Sequence, residues 1–360
     1  MDKTKLTAGV FHFTNYIKKQ FYLKTSFSFF TPAPQSIYLI PGTKCNSHCI
    51  MCLNWLNKSK QIPFNIWKKV INDIEEINRY TKINISGGEI IMPGLMQQTA
   101  LYSAEKLPYT GITSNGFLVD RKMAKSLISK KFSNINISFD GITKKTVNLI
   151  RGRSFAFEKT KKAIVYLVNE RNRQKSKTKI IVKTVIMGLN YKELPKLVLW
   201  LKKIGADGIY FQPIEPIYGS NQTMPELKKS SLWVKQVEVI HKLIQMKKDG
   251  YPILNDFGHL NSIIDYFSSK KLGINGFNNY CDIDTTSLFI VASGDVYFCL
   301  DSFPPIGNVL KNSLKKIFNS KKAINQRKLI RKCKNSSQCL STCMYKKSIF
   351  QQVKLFLFLK

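Results

Sequence analysis

Between residues 36 and 212 the chain alternates two patterns of apolar and polar positions. Short β-branched runs occur at Ser36–Ile40, Lys82–Ser86, Tyr109–Thr113, Ile135–Phe139, Lys179–Met187 and Gly208–Gln212, and their composition and length predict strands. Longer stripes lie between them. Trp67, Val70, Ile71, Ile74 and Ile77 recur at three- and four-residue steps, with Lys68, Lys69, Asp73 and Glu76 on the opposite side. That period predicts an amphipathic helix. Similar stripes run through Met123-Leu127-Ile128, Ala163-Ile164-Leu167-Val168 and Leu194-Leu197-Val198-Leu201. Six such repeats predict an α/β fold: a parallel sheet curling into an open, partial (βα)6 barrel, with right-handed crossovers placing the strand ends on one rim.

The pattern loosens beyond residue 212. Gln212–Ser220 reads as a loop from its Pro and Gly content, followed by a helix over Ser230–Lys248. Ser287–Ala292 and Asp295–Cys299 flank Ser293-Gly294 and predict a β-hairpin. A Lys-rich helical stretch, Leu314–Lys332, precedes an apolar tail, Val353–Lys360, punctuated by lysines and expected to pack on the barrel. The expected organisation is an N-terminal extension (1–35), the barrel (36–215), a helical connector (216–275), a small α+β extension (276–345) and the tail (346–360).

At 360 residues and 44% hydrophobic composition the chain can bury a sizeable core without disulfides. No apolar run approaches the ~20 residues of a membrane span. Phe11-His12-Phe13 and Phe27–Phe30 are too short and interrupted for a secretory signal. The expected compartment is the reducing cytoplasm. A net charge of +35 suggests nucleic acid, but only eight of the 57 basic residues are Arg, and the lysines are scattered. Arg is the residue suited to bidentate phosphate contacts, so nucleic acid is not the expected partner. A basic field still draws in anionic substrates.

The eight cysteines change the picture. Cys45, Cys49 and Cys52 follow the first strand in a Cys-x3-Cys-x2-Cys spacing. Closely spaced thiolates from one loop are what iron–sulfur clusters use, and three of them leave one iron of a 4Fe–4S cube open. A zinc site is the alternative, with His48 or a distant residue as fourth ligand. The next strand ends carry polar or glycine motifs in turn: Ser86-Gly87-Gly88-Glu89, Ser114-Asn115-Gly116 and Ser138-Phe139-Asp140-Gly141. Successive strand ends of a barrel converge on one rim pocket.

Taken in that order, these motifs resemble the radical S-adenosylmethionine (SAM) superfamily over residues 36–215, with a TIM-like partial barrel. The resemblance implies that Cys45, Cys49 and Cys52 hold a 4Fe–4S cluster whose open iron binds SAM. It implies that Gly87, Gly88 and Glu89 line the methionine amino group, that Asn115 stands at the third strand end, and that Ser138 and Asp140 lie near the methionine carboxylate and ribose. Arg151 matches an Arg-Gly that often follows, and Gln212 falls where the sixth strand meets the adenine edge. Two positions depart from the family pattern: Met51 replaces an aromatic residue before the third cysteine, and Ile90 replaces the proline after Gly-Gly-Glu. Both keep an apolar body.

The other five cysteines, Cys281, Cys299, Cys333, Cys339 and Cys343, straddle the hairpin. They resemble the SPASM/twitch auxiliary-cluster extension, a cluster-binding module. Ile330 stands where the full pattern carries another Cys, and no Cys follows Cys343. The expectation is therefore one auxiliary iron–sulfur cluster on Cys281, Cys299 and Cys343, completed by Cys339 or Cys333, with zinc as the alternative. The implied activity is reductive cleavage of SAM and hydrogen-atom abstraction from a small anionic metabolite or a peptide. It would be a net oxidation or cross-linking, with a flavodoxin- or ferredoxin-type electron donor. An RNA-modifying enzyme and a non-catalytic iron–sulfur or zinc protein are the other readings.

Overall fold

The computed structural model describes residues 3–25, 28–52, 54–57, 59–214, 232–268 and 281–333. Six strands form in chain order: β1 (Ser36–Ile40), β2 (Lys82–Ile85), β3 (Thr110–Ser114), β4 (Asn134–Ser138), β5 (Lys179–Ile186) and β6 (Gly208–Pro213). All five neighbouring pairs are parallel. Helices α2 (Phe64–Asn78), α3 (Leu95–Lys106), α4 (Arg121–Ser129), α5 (Lys144–Arg151), α6 (Ala156–Arg173) and α7 (Leu194–Ile204) connect them, while α1 (Lys3–Thr25) precedes the sheet. The α/β fold is the expected one, and the sheet stays open.

The strand sequences explain the two faces of the sheet. Ile37 and Leu39, Ile83 and Ile85, Ile135 and Ile137, Ile180 and Val182, Ile209 and Phe211 are fully buried and share one core with the helix stripes. The residues between them form a polar inner face. Register places Thr113 beside Asn136, and Ser138 beside Lys183, which in turn lies beside Tyr210. Asn134 Nδ2 donates to Asn136 Oδ1 (3.0 Å), and Asn136 Nδ2 to Thr113 Oγ1 (3.3 Å). Side chains that alternate across a strand give one apolar and one polar face.

The expected hairpin forms as β7 (Ser287–Val291) and β8 (Asp295–Tyr297), followed by the short β9 (Gly307–Asn308). It does not stand apart. β7 pairs in parallel with β1, giving one nine-stranded sheet in the order β6-β5-β4-β3-β2-β1-β7-β8-β9. Tyr38 of β1 stacks on Phe289 of β7, with ring centroids 4.7 Å apart. The far edge, β6, is also covered. Ile209 N donates to Pro252 O and Leu254 N to Ile209 O (both 2.8 Å), and the Asn255 amide pairs with both backbone groups of Phe211 (2.7 Å each). Occupied edges remove templates for aggregation.

Some expectations are refined. Helix α8 starts at Leu232 and runs to Lys248, residues 230 and 231 lying outside the described residues. A further helix, α9 (Phe257–Phe267), follows it. A short helix, α10 (Ile283–Thr286), leads into β7. Leu314–Lys332 is not one helix but two, α11 (Leu314–Phe318) and α12 (Lys321–Ile330), because Ser320 leaves the first and its side chain caps the second by accepting from Ala323 N. The segment 1–35, read only as an extension, carries α1 over 23 residues. The tail Val353–Lys360 and most of the loop after Gln212 lie outside the described residues.

Candidate active site

The thiol loop leaves β1 and is gripped by three successive strand ends. Ser86 N donates to Leu39 O (3.0 Å), Gly88 N to Gly42 O (2.9 Å) and Glu89 N to Lys44 O (2.9 Å), so the end of β2 runs along the loop backbone. The approach excludes a side chain: a Cβ on Gly88 would lie 1.9 Å from Lys44 O. Glu89 itself is buried, and its carboxylate organises the next strand end. Oε1 accepts from Ile91 N (2.9 Å) and Ser114 Oγ (2.7 Å), and Oε2 from Asn115 N (2.7 Å). Burial pushes the Glu89 carboxyl up, and these donors oppose the shift.

Asn115 then reaches the loop, donating to Asn46 Oδ1 (2.7 Å) and lying 4.0 Å from Cys45 Sγ. From the opposite side, α5 pairs its last carbonyls with the loop: His48 N donates to Arg151 O (3.2 Å) and Ile50 N to Ile150 O (3.0 Å). Ser47 Oγ donates to Arg151 O (2.8 Å) and is in hydrogen-bond contact with Cys49 Sγ at 3.1 Å. Arg151 is buried between an ion pair with Asp140 and Cys49 Sγ, 3.7 Å from its Nη1. Asp140 Oδ1 also accepts from Val185 N (2.9 Å), so both carboxylate oxygens are engaged by protein. Gly152 closes α5 at φ 63°, and a Cβ there would meet His48 O at 2.2 Å. Only glycine fits such a left-handed, crowded cap.

The structure thus brings Cys45, Cys49 and Cys52 together with Gly88, Glu89, Asn115, Asp140 and Arg151. Ser138 and Gln212 sit on the inner face, on β4 and β6, and take no part in the hydrogen bonds that grip the thiol loop among the described residues: Ser138 is in register with Lys183, and Gln212 with Val185. Three contributors had no separate signal in the sequence. Ser47 lies inside the thiol loop, Arg153 donates from Nε to Asn46 O (2.9 Å), and Val185 packs against the cluster of Ile150, Met187 and Ile214 that Ile50 and Met51 also cover.

The second thiol set gathers beside α10 and β8. Cys281 is buried and Cys299 and Cys333 half-buried. Burial pushes the Cys281 thiol up to about 12 and raises Cys299, and the charge of Cys333 adds to both. Cys339 and Cys343 lie outside the described residues. In the first set, burial lifts Cys45 to about 11 and raises Cys52. A bound metal cation offsets such desolvation by taking up the thiolate charge. Among the described residues no three Cys, His, Asp or Glu side chains converge on one ion.

A thiol loop at the rim of an open parallel sheet, with a second thiol set beside the same sheet, defines an iron–sulfur protein of the α/β barrel class. Residues 39–201 match the model of the radical SAM superfamily, and residues 281–344 match the iron–sulfur cluster-binding SPASM domain, so the chain carries both domains. Members bind a 4Fe–4S cluster and SAM, and the SPASM domain binds auxiliary iron–sulfur centres. One relative is the tungsten-containing aldehyde ferredoxin oxidoreductase cofactor-modifying protein of Pyrococcus furiosus. It is 23% identical over 275 residues, which cover 73% of this chain and 70% of the relative. Streptococcus suis SuiB bound to its precursor peptide SuiA shares the fold at 15% identity and a TM-score of 0.64, covering 86% of this chain and 70% of SuiB. The enzyme anSMEcpe with bound AdoMet and a Cp18Cys peptide does so at 20% identity and a TM-score of 0.61, covering 90% of this chain and 96% of that one.

The donor set fits the implied cofactor. It is all sulfur, the Arg151 guanidinium and the Asn115 amide donate toward it, and the Ser47 hydroxyl is in contact with Cys49 Sγ. Outer-shell donors of this kind stabilise thiolate ligands.

Proposed function

We propose that Cys45, Cys49 and Cys52 hold the 4Fe–4S cluster and that the chain is a radical SAM enzyme of the oxidising or cross-linking kind. Its substrate is a small anionic metabolite or a peptide taken up by the polar inner face of the sheet. The observation that carries the reading is the buried Arg151, tied to Asp140 and aimed at Cys49 Sγ. A guanidinium that donates toward a sulfur is an outer-shell partner of the kind that orients and stabilises a metal ligand. The cluster and SAM together supply, when bound, an electron and a carbon-centred radical able to remove a hydrogen atom.

The remaining work belongs to the chain. Gly87, Gly88 and Glu89 fix the loop against β2 and keep its backbone open to the amino acid end of SAM. Asn115 and Arg151 hold the thiolates in place. Ile150, Met187 and Ile214, with Ile50, Met51 and Val185 packed against them, form an apolar wall beside the loop that excludes water from the reacting centre. Cys281, Cys299 and Cys343, completed by Cys333 or Cys339, hold one auxiliary cluster. Such a cluster would supply, when bound, an acceptor for the electron of a net oxidation. Substrates of both classes are supported: anSMEcpe and SuiB are both known with bound peptides, whereas the basic balance of this chain favours an anionic small molecule.

The test is anaerobic reconstitution with iron and sulfide, with counting of both and measurement of 5′-deoxyadenosine under dithionite. Wild type is expected to be brown and to cleave SAM. Cys45→Ala is expected to lose SAM cleavage, and a Cys281→Ser/Cys299→Ser double variant to lose the auxiliary share of iron alone. A colourless protein that loads zinc at the first loop sinks the reading.

A further inference from the structure

We infer that Lys183, with Ser138 beside it, is the receptor for an oxyanion of the substrate, a carboxylate or a phosphate, on the inner face of the sheet. The inference rests on the reading just given, because that face is where the substrate of such an enzyme sits.

Strand β5 runs Lys179–Ile186, with alternate residues facing inward and outward. Val185 packs against the cluster of Ile150, Met187 and Ile214, which Ile50 and Met51 of the thiol loop also cover. Lys183 is two residues earlier and therefore shares that face, about 7 Å further down the strand at ~3.3 Å per residue. Register sets Ser138 of β4 on one side of it and Tyr210 of β6 on the other. The Tyr210 ring is fixed from behind: its hydroxyl lies 2.7 Å from Nδ1 of the buried His259, which Asn255 Nδ2 also approaches at 3.1 Å. Lys183 thus stands on the inner face between Ser138 and Tyr210.

No carboxylate pairs with it among the described residues. Among the described residues the ion pairs engage Lys19, Arg151, Arg171, Arg173, Lys179 and Arg331, and Lys183 is in none of them. Its neighbours on the same face, Ile181, Val185, Asn136, Ser138, Tyr210 and Gln212, are all uncharged. Asp140, two residues beyond Ser138, is committed to Arg151 and to Val185 N. Burial pushes the Lys183 ammonium down. A desolvated cation without a protein counter-ion is costly, and an incoming anion removes that cost.

The pocket is tested on the full-length protein by competitive trace methylation with formaldehyde and dimethylamine–borane. Modification of each lysine is read by peptide mass spectrometry, with the exposed Lys130 as internal standard. Inorganic phosphate or succinate is expected to lower Lys183 modification at least fivefold relative to Lys130. Protection by phosphate assigns a phosphate ligand, protection by succinate a carboxylate, and protection by neither overturns the proposal. The second arm measures SAM affinity and SAM cleavage without substrate in Lys183→Met. Both are expected within twofold of wild type. A tenfold loss of SAM affinity overturns the assignment, because Lys183 would then belong to SAM itself. The labelling arm needs neither iron nor SAM, so the pocket and the radical chemistry stand or fall separately.

Discussion

At Gly88 a single hydrogen atom decides whether the thiol loop can close. The atom a side chain would strike is Lys44 O, at 1.9 Å, and that carbonyl is already held by Glu89 N. It belongs to the backbone and cannot rotate away. Gly88→Ala is therefore expected to leave the sheet folded, with unchanged far-ultraviolet circular dichroism, while iron loading at the first loop falls severalfold. Glu89 tests the same junction differently. Its two oxygens accept from two backbone N–H groups and one hydroxyl. Glu89→Gln replaces one acceptor by an NH2 that faces a donor in either orientation. The cost should be about 2 kcal/mol, the desolvation penalty of a buried unpaired donor, read as a lower melting temperature of the apoprotein.

Helix α1 shows why an element can escape a reading by periodicity. Val10, Phe13, Ile17 and Phe21 lie on one side of it and are exposed, whereas Asn15 and Lys19, with Ala8 and Tyr22, face inward. The apolar stripe points to solvent and polar residues do the docking, the reverse of the rule that pattern reading uses. Asn15 exchanges two hydrogen bonds with Ala33, and Lys19 forms an ion pair with Asp282 at 2.8 Å, nine-tenths buried on both sides. Lys19→Met removes that ammonium from a buried carboxylate, and about 3 kcal/mol of stability should go with it. Early cleavage within α1 in limited proteolysis is the measurement that checks it.

The six strands of the barrel were legible because Ile-x-Ile alternation is local, as in Asn134-Ile135-Asn136-Ile137-Ser138. The thiol spacings and strand-end motifs were legible for the same reason. Lys183, Arg153 and the Asp140–Arg151 pair were not, since each depends on what a neighbouring strand or loop places opposite. The parallel pairing of β7 with β1 was hidden too: two strands some 250 residues apart carry no mutual mark in their own sequences.

That pairing decides how the whole molecule behaves. Were the C-terminal extension a separate body, damage to it would leave the barrel untouched. Instead β7 is a strand of the barrel's own sheet, and Phe289, nearly buried, stacks on Tyr38 of β1. Phe289→Ala removes this contact and opens a cavity at the seam, with a cost of about 3 kcal/mol. The four tryptophans, Trp55, Trp67, Trp200 and Trp233, all precede β7, so their fluorescence reports on the N-terminal two-thirds of the chain and not on the extension. If the nine strands unfold as one unit, the fluorescence midpoint of Phe289→Ala drops as far as the midpoint seen by circular dichroism. A fluorescence transition that stays in place while the dichroism splits into two would show that the sheet is continuous in geometry and divided in energy.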